Sequence, residues 1–271
     1  MKKGTRLDQF LADQGLSRSR EKAKKEIMAG WVKVNGETIH QPSRQIKGTE
    51  EIEVTRPKGD FVSRGGEKLK QALDFFSLEV TDRVAVDMGA STGGFTHCLL
   101  QHGAARVYAI DVGYGQLDYS LRSDDRVVVM ERTNVRHLVA ENFEGVGLIT
   151  ADLSFISFRK VYPVVAEIFP GSEGVFLLKP QFEAEQGEHK KGVVRKEEVH
   201  CAIIARVLAA LIEEGMIFRG LTYSPITGPA GNIEFLVHFE APGTPGNEES
   251  PELDFLIKSV VAEAHQNFKK S

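Results

Sequence analysis

From about residue 82 to residue 239 this chain alternates strand signals with helix signals, and that alternation constrains its fold more than any other feature. Short apolar, β-branched runs read as strands at 84–88, 107–111, 127–130, 148–152, 175–178, 221–224 and 235–239. Helical spacing separates them at 94–101, near 117–122, at 158–168 and at 197–214. Repeated β-α units of this kind require crossover connections and cover a sheet on both faces. The expectation is an α/β fold built on a mostly parallel, doubly wound, seven-stranded sheet.

Residues 5–54 follow a different pattern. Leu7, Phe10 and Leu11 share one helical face, and a second helix is predicted over 18–28 with Ser17 as its cap and Gly30 at its end. Trp31-Val32-Lys33-Val34 then runs into Asn35-Gly36, a strong hairpin signal. The first 58 residues hold 13 Lys+Arg against 8 Asp+Glu, whereas the remainder holds 21 against 30. A basic α+β module on an acidic body suits the binding of a polyanion, although a solvated helix face would carry the same charges. A Pro/Gly linker at 55–60 and a second polar stretch at 241–246 suggest three segments: 1–58, 59–245 and a C-terminal helical extension at 246–271. That last helix would pack on the body or meet a partner. No apolar run reaches the roughly 20 residues of a membrane helix, and the basic start lacks an apolar signal core. The two cysteines, Cys98 and Cys201, sit in apolar helical stretches as expected of reduced thiols, and they are too few for a zinc site. The chain therefore reads as cytoplasmic, with no metal and no membrane partner.

The chemistry concentrates at strand ends. Asp87-Met88-Gly89-Ala90-Ser91-Thr92-Gly93-Gly94-Phe95 places a glycine-rich turn between a strand and a helix, where a ligand can approach the backbone. Such ligands lie at the carboxyl edge of doubly wound sheets. Asp111 closes the next strand, 22 residues past Gly89, where its carboxylate can accept both hydroxyls of a ribose. Gly89-Ala90-Ser91 breaks the dinucleotide fingerprint, and no Gly-Lys-Ser/Thr of a phosphate loop follows. An acidic residue before the turn would repel a pyrophosphate but suits a cofactor with a cationic amino-acid end, such as S-adenosylmethionine. Asp152, Lys179 and Glu234 arrive at the same edge from three further strand ends, a plausible acid-base cluster. Singly, each has a plainer reading as a cap or an ion pair.

These residues resemble a known family. Ser63-Arg64-Gly65-Gly66-Glu67-Lys68, the segment from Asp87 to Thr96, Asp111 to Gln116, Glu131-Arg132-Thr133-Asn134, Asp152 to Ser157, Lys179 to Glu183 and Gly228 to Glu234 are similar to the FtsJ-type ribose 2′-O-methyltransferases. The whole chain resembles the TlyA family, historically called haemolysin A, and residues 5–54 resemble the alpha-L RNA-binding motif. The resemblance implies a Rossmann-like class I methyltransferase domain and a catalytic tetrad at Lys68, Asp152, Lys179 and Glu234, with Lys70 as the competing first lysine. It implies S-adenosylmethionine contacts from Asp87, Gly89, Ala90, Ser91, Thr92, Gly93, Gly94, Phe95, Asp111, Val112, Asn134 and Asp152. Many such enzymes carry an aspartate where Thr133-Asn134 stands here; Asn134 still offers a carbonyl acceptor. Ribosomal RNA, as a subunit, is the implied partner and a cytidine ribose the implied target. Phosphate contacts are then expected from Arg6, Arg18, Arg20, Lys24, Lys25, Lys33 and Arg64.

In such an enzyme a ribose hydroxyl must lie in line with the S–CH3 bond and lose its proton. Lys179 is the expected group to take or steer that proton; a free lysine titrates near 10.4, so it would have to be made neutral. The basic loop 184–196 flanks Lys179 and reads as a flap over substrate or as a plain surface loop. Three other readings stay open: an RNA-binding assembly factor that does not turn over, the haemolysin of the family's older name, and a methyltransferase acting on a base, which would leave Lys68 and Lys179 without a clear job.

Overall fold

The predicted strands join into one sheet in a computed structural model that describes residues 4–17, 19–55, 61–242 and 253–269. Arg18, most of the expected linker and the second polar stretch lie outside the described residues. The chain divides into two units, Met1–Arg64 and Gly65–Ser271.

The first unit runs β1 (Thr5–Arg6), α1 (Leu7–Asp13), α2 (Arg20–Met28), β2 (Val32–Val34), β3 (Glu37–Thr38), β4 (Gln45–Ile46) and β5 (Ile52–Val54). β2 lies between β3 and β5 in a three-stranded antiparallel sheet, and β1 pairs with β4. Asn35 (φ 51°) and Gly36 (φ 80°) form the tight turn from β2 to β3, where two successive positive φ values match the twist of the strands. Leu7, Leu11, Ala23, Ile27, Val32, Val34, Ile39 and Ile46 make its core. The cap of α2 differs from expectation. Ser19, not Ser17, accepts the Lys22 N–H (3.1 Å), while the buried Ser17 donates its hydroxyl to the Ser19 carbonyl (3.4 Å).

The second unit opens with α3 (Gly65–Phe76), which strand-helix spacing alone does not reveal. Its apolar stripe is Leu69, Ala72, Leu73 and the partly buried Phe76, with Lys68 buried beside it. Then follow β6 (Val84–Met88), α4 (Gly94–Gln101), β7 (Arg106–Ile110), α5 (Tyr119–Arg122), β8 (Val127–Met130), β9 (Val146–Ala151), α6 (Tyr162–Ile168), β10 (Glu173–Leu178), α7 (Pro180–Glu183), α8 (Glu197–Glu213), β11 (Ile217–Tyr223), β12 (Phe235–Glu240) and α9 (Leu253–Lys269). The helix expected over 158–168 is a 3-10 turn at Phe158–Lys160 followed by α6, because Pro163 can sit only in a first helical turn.

The sheet order is β11-β12-β10-β9-β6-β7-β8. The five strands from β10 to β8 are parallel, and β12 lies antiparallel to both β10 and β11. This is the mostly parallel, Rossmann-like α/β architecture. Val86 and Met88 of β6 join Ile203, Ile204, Val207 and Leu211 of α8 and Ile257, Val260 and Val261 of α9 in one continuous core. Pleat alternation sends Ala85 and Asp87 to the opposite face, where Asp87 meets Thr96 of α4. The C-terminal helix therefore packs on the body rather than projecting.

Candidate active site

The parallel register aligns the ends of β6 and β9: Met88 pairs with Ala151, and the Asp152 N–H donates to the Met88 carbonyl (3.0 Å). In β10 and β12 the antiparallel register pairs Leu178 with Phe235. The residue after β10, Lys179, and the residue before β12, Glu234, thus leave the sheet at the same edge. A strand running backwards delivers a side chain from its start where its neighbours deliver theirs from their ends.

The glycine turn lies over this edge. Gly89 has φ +87°, and a Cβ on it would come within 2.6 Å of the Asp152 carbonyl oxygen, so any side chain there would push the β6 and β9 ends apart. The Gly89 and Ala90 N–H groups both donate to the Ile110 carbonyl (2.8 and 2.9 Å), and the Gly93 N–H closes the turn on Ala90 (2.7 Å). Asp111 accepts from the Ser91 N–H (2.8 Å) and the Gly113 N–H (2.6 Å), one to each oxygen, which orients its carboxylate beside the turn. Val112 next to it is 69% exposed, an uncovered apolar side chain at the rim.

Four charged side chains pair off at the edge. Lys68 Nζ, from α3, donates to Glu234 Oε2 at 2.6 Å, and both are buried. Lys179 Nζ lies 2.5 Å from Asp152 Oδ1 and donates to Ser154 Oγ at 3.0 Å. Burial would raise the Asp152 carboxyl, but the cations of Lys179 and then Lys68 outweigh it and hold the group below the usual carboxylate range. Lys70, by contrast, is exposed and pairs with Asp74 one turn along α3. The geometry brings Lys68, not Lys70, to the cluster.

The other expected residues separate into groups. Asp87 is fully buried beneath the turn, accepting from Thr96 Oγ1 (2.6 Å) and Thr150 Oγ1 (3.4 Å). Burial pushes its carboxyl up to about 7 against those hydrogen bonds, and the Asp152 charge adds to the rise. Ser91, Thr92 and Gly94 line the turn and helix start, but Phe95 is only 3% exposed and its ring belongs to the core. Asn134 is exposed, and its carbonyl oxygen already caps a 3-10 turn by accepting the Arg136 N–H (3.0 Å). In the first unit, Arg6 and Arg20 converge on the buried carboxylate of Asp8 (2.7 and 3.4 Å), Lys24 pairs with Glu21 and Lys33 lies 3.9 Å from Glu53. Lys25 and Arg64 are partly exposed. Among the described residues no group of three or more His, Cys, Asp or Glu could hold a metal ion.

Motif reading did not assign a role to Phe155. It is 91% exposed with a left-handed backbone (φ 64°), and its ring lies 5.1 Å from that of Phe182, over which Lys179 Nζ sits at 5.8 Å. A bulky residue held at positive φ and left bare next to the charged cluster is a strained position, which functional sites favour. Only the backbone reveals it.

The family model for FtsJ-like methyltransferase matches residues 61–241, two thirds of the chain and every residue of the cluster. The chain belongs to the FtsJ-like methyltransferase family. An S4 domain model matches residues 5–52. A Bacillus subtilis protein named provisionally as the rRNA methyltransferase YqxC is 46% identical over 274 residues, 99% of this chain and 96% of its own. The 16S/23S rRNA (cytidine-2'-O)-methyltransferase TlyA of Mycobacterium tuberculosis is 42% identical over 247 residues, 88% of this chain and 90% of its own. A solved structure from Streptococcus thermophilus, described as a provisional haemolysin, superposes with TM-score 0.77 at 41% identity, covering 100% of this chain and 98% of its own. As an FtsJ-like methyltransferase the chain draws its methyl group from S-adenosylmethionine. The site fits that donor: beside the glycine turn stand an oriented carboxylate at Asp111 for a ribose diol and a bare Val112.

Proposed function

We propose that this protein methylates the 2′-hydroxyl of a cytidine ribose in ribosomal RNA, with an assembled subunit as substrate. The observation that carries the reading is the pair of ion pairs, Lys68–Glu234 and Lys179–Asp152, converging beside the glycine turn. Only RNA offers a 2′-hydroxyl, and a ribose needs a group to receive its proton. Bound S-adenosylmethionine supplies a methyl already activated by its sulfonium. Gly89 to Gly94, Phe95 through its backbone, Asp111, Val112 and Asn134 would hold that cofactor, with Asp87 bracing the turn from below and Asp152 at the cationic end.

In this reading the Lys179 ammonium, held in place by Asp152 and Ser154, orients the hydroxyl, and it can take the hydroxyl's proton only after giving up one of its own to solvent. Glu234 holds Lys68, and Lys68 adds to Lys179 in keeping Asp152 ionised. The four charges sum to zero, so the pocket can be dry without a net buried charge. Phe155 offers a ring face on which a base drawn out of its stack can lie. Residues 1–58 would bind RNA phosphates through Arg6, Arg18, Arg20, Lys24, Lys25 and Lys33, with Arg64 adding one from the approach to α3. Residues 59–245 would carry the chemistry, with 246–271 as a C-terminal helical extension, and the cytoplasm is where this substrate lies. No described helix is long and apolar enough to cross a membrane.

The test is incubation with methyl-tritiated S-adenosylmethionine and unmodified ribosomal subunits, then digestion and alkaline cleavage. Label at an alkali-resistant linkage, absent in Lys179→Met, supports ribose methylation. Label on a base would discard the tetrad's role. Cofactor binding with no label on any subunit would favour the assembly-factor reading.

A further inference from the structure

The basic loop that follows Lys179 is held in one place by a single buried amide. Asn232 is 1% exposed, and both ends of its side chain grip the loop: the Val194 N–H donates to Oδ1 (3.0 Å) and Nδ2 donates to the Gly192 carbonyl (3.0 Å). Asn232 lies two residues before Glu234, and its own carbonyl accepts the Gly228 N–H (2.8 Å). At the loop's start Arg206 of α8 binds Glu188 in a fork (2.8 and 3.1 Å), reaches Glu185 and donates to the Glu183 carbonyl (3.2 Å). Within it, Lys190 and Val193 bridge and the Gly192 N–H donates to His189 Nδ1 (3.3 Å).

These ties sort the loop's charges. Its acids, Glu185 and Glu188, turn to Arg206. Lys190, Lys191, Arg195 and Lys196 are exposed and have no ion-pair partner among the described residues. In the S4 unit Arg6, Arg20, Lys24 and Lys33 face acids of their own unit, while Lys22, Lys25 and Lys47 have no ion pair among the described residues. A cation without a protein partner binds phosphate without first breaking an ion pair. A loop of fixed shape also loses less entropy on binding than a mobile one.

We infer that the loop over residues 184–196 is a phosphate-binding rim that grips the RNA backbone flanking the target nucleotide, and that Asn232 is the positioning residue that sets the rim against the strand end bearing Glu234. This rests on the RNA methyltransferase reading. Its chemistry is sequence-independent recognition of phosphate, so the rim sets affinity and register while the pocket selects the nucleotide.

The test compares the wild type with Lys190→Ala/Lys191→Ala/Arg195→Ala, its charge-keeping counterpart Lys190→Arg/Lys191→Arg/Arg195→Lys, and Asn232→Asp, which keeps the acceptor for Val194 but cannot donate to Gly192. Subunit methylation and filter binding to ribosomal RNA are measured from 50 to 300 mM salt, about the range over which phosphate contacts are released. The triple alanine variant is expected to raise KM about tenfold or more with kcat within about twofold, and to flatten the log–log salt slope by about 2, near 0.7–0.9 per lost phosphate contact. The charge-keeping variant should restore both. Asn232→Asp should raise KM with the cofactor affinity unchanged. An alanine variant with unchanged KM and salt slope overturns the rim, and an Asn232→Asp protein that loses cofactor affinity as well overturns the positioning role. If the wild type labels no RNA, the function reading fails, and the salt slope of binding still decides the rim.

Discussion

Replacing Lys68 by Met should destabilise the catalytic unit more than almost any other single polar change. The Lys68 ammonium stands 2.6 Å from Glu234, with side chains only 10% and 1% exposed. Glu234 has no other side-chain hydrogen bond or ion pair among the described residues. Removing the cation leaves a buried carboxylate with nothing to compensate it, which costs about 3–5 kcal/mol. A unit of this size loses about 2–4 °C of Tm per kcal/mol, so the drop should be on the order of 6–20 °C. The same argument predicts the reverse for the double variant Lys68→Met/Glu234→Leu. With both charges gone, apolar packing replaces the pair and most of the lost stability returns, although activity does not. Urea unfolding followed by circular dichroism, with the wild type and both single variants completing the cycle, gives the coupling directly. A Lys68→Met protein within about 1 kcal/mol of the wild type, or a double variant no more stable than Lys68→Met, would refute the description of this pair as desolvated.

Gly89→Ala should lower the affinity for S-adenosylmethionine at least about tenfold and destabilise the fold by about 1–3 kcal/mol, since its Cβ would meet the Asp152 carbonyl at 2.6 Å in a left-handed backbone; titration calorimetry and thermal melts check both. Phe155→Ala should leave cofactor affinity and Tm unchanged while weakening productive RNA binding by about 5- to 150-fold, the worth of one stacked base, read as KM for the subunit. His200 sets an acid limb: burial, with His265 beside it, pushes its imidazole down to about 4 from the usual 6.5. The unfolded chain therefore takes up the proton first as pH falls below 6.5, so stability is full above that pH and declines until about pH 4. His200→Leu should flatten this limb, removing on the order of 3 kcal/mol of its fall, and an unchanged pH profile would exclude His200 as its source.

The architecture was legible where periodicity is strong. The strands of the parallel sheet and α4 follow directly from apolar runs and glycine punctuation, because a strand buried on both faces admits little but Val, Ile, Leu and Ala. α3 carries Leu69, Ala72, Leu73 and Phe76 at helical spacing, yet it places Lys68 on its buried side, in conflict with that apolar pattern. The same conflict identifies the site, since a buried lysine is tolerated only opposite a carboxylate brought from elsewhere in the chain. Glu234 lies 166 residues away; motif reading places it at the same edge, and the antiparallel register of β10 and β12 gives the reason it reaches the point where Lys179 leaves. Asn232 and Phe155 were named within motifs, yet their roles depend on a hydrogen-bond pattern and on a backbone angle that no spacing encodes.

The reversed strand explains why a methyltransferase of this kind can build its cluster from so few elements. Were β12 parallel to β10, its carboxyl end would point where Glu234 now begins, and the residue there would follow Glu240 rather than precede Phe235. The antiparallel hairpin of β11 and β12 instead carries the segment from Gly228 to Glu234 across the top of the site. One short connection then supplies both Glu234, which holds Lys68, and Asn232, which holds the basic loop. A shift of this connection by one residue would exchange a carboxylate for an isoleucine side chain at the pocket and release the loop at once. Catalytic alignment and substrate grip are thereby tied to the same backbone register, so that an insertion or deletion within residues 228–234 should impair the two together while side-chain changes in the S4 unit impair binding alone.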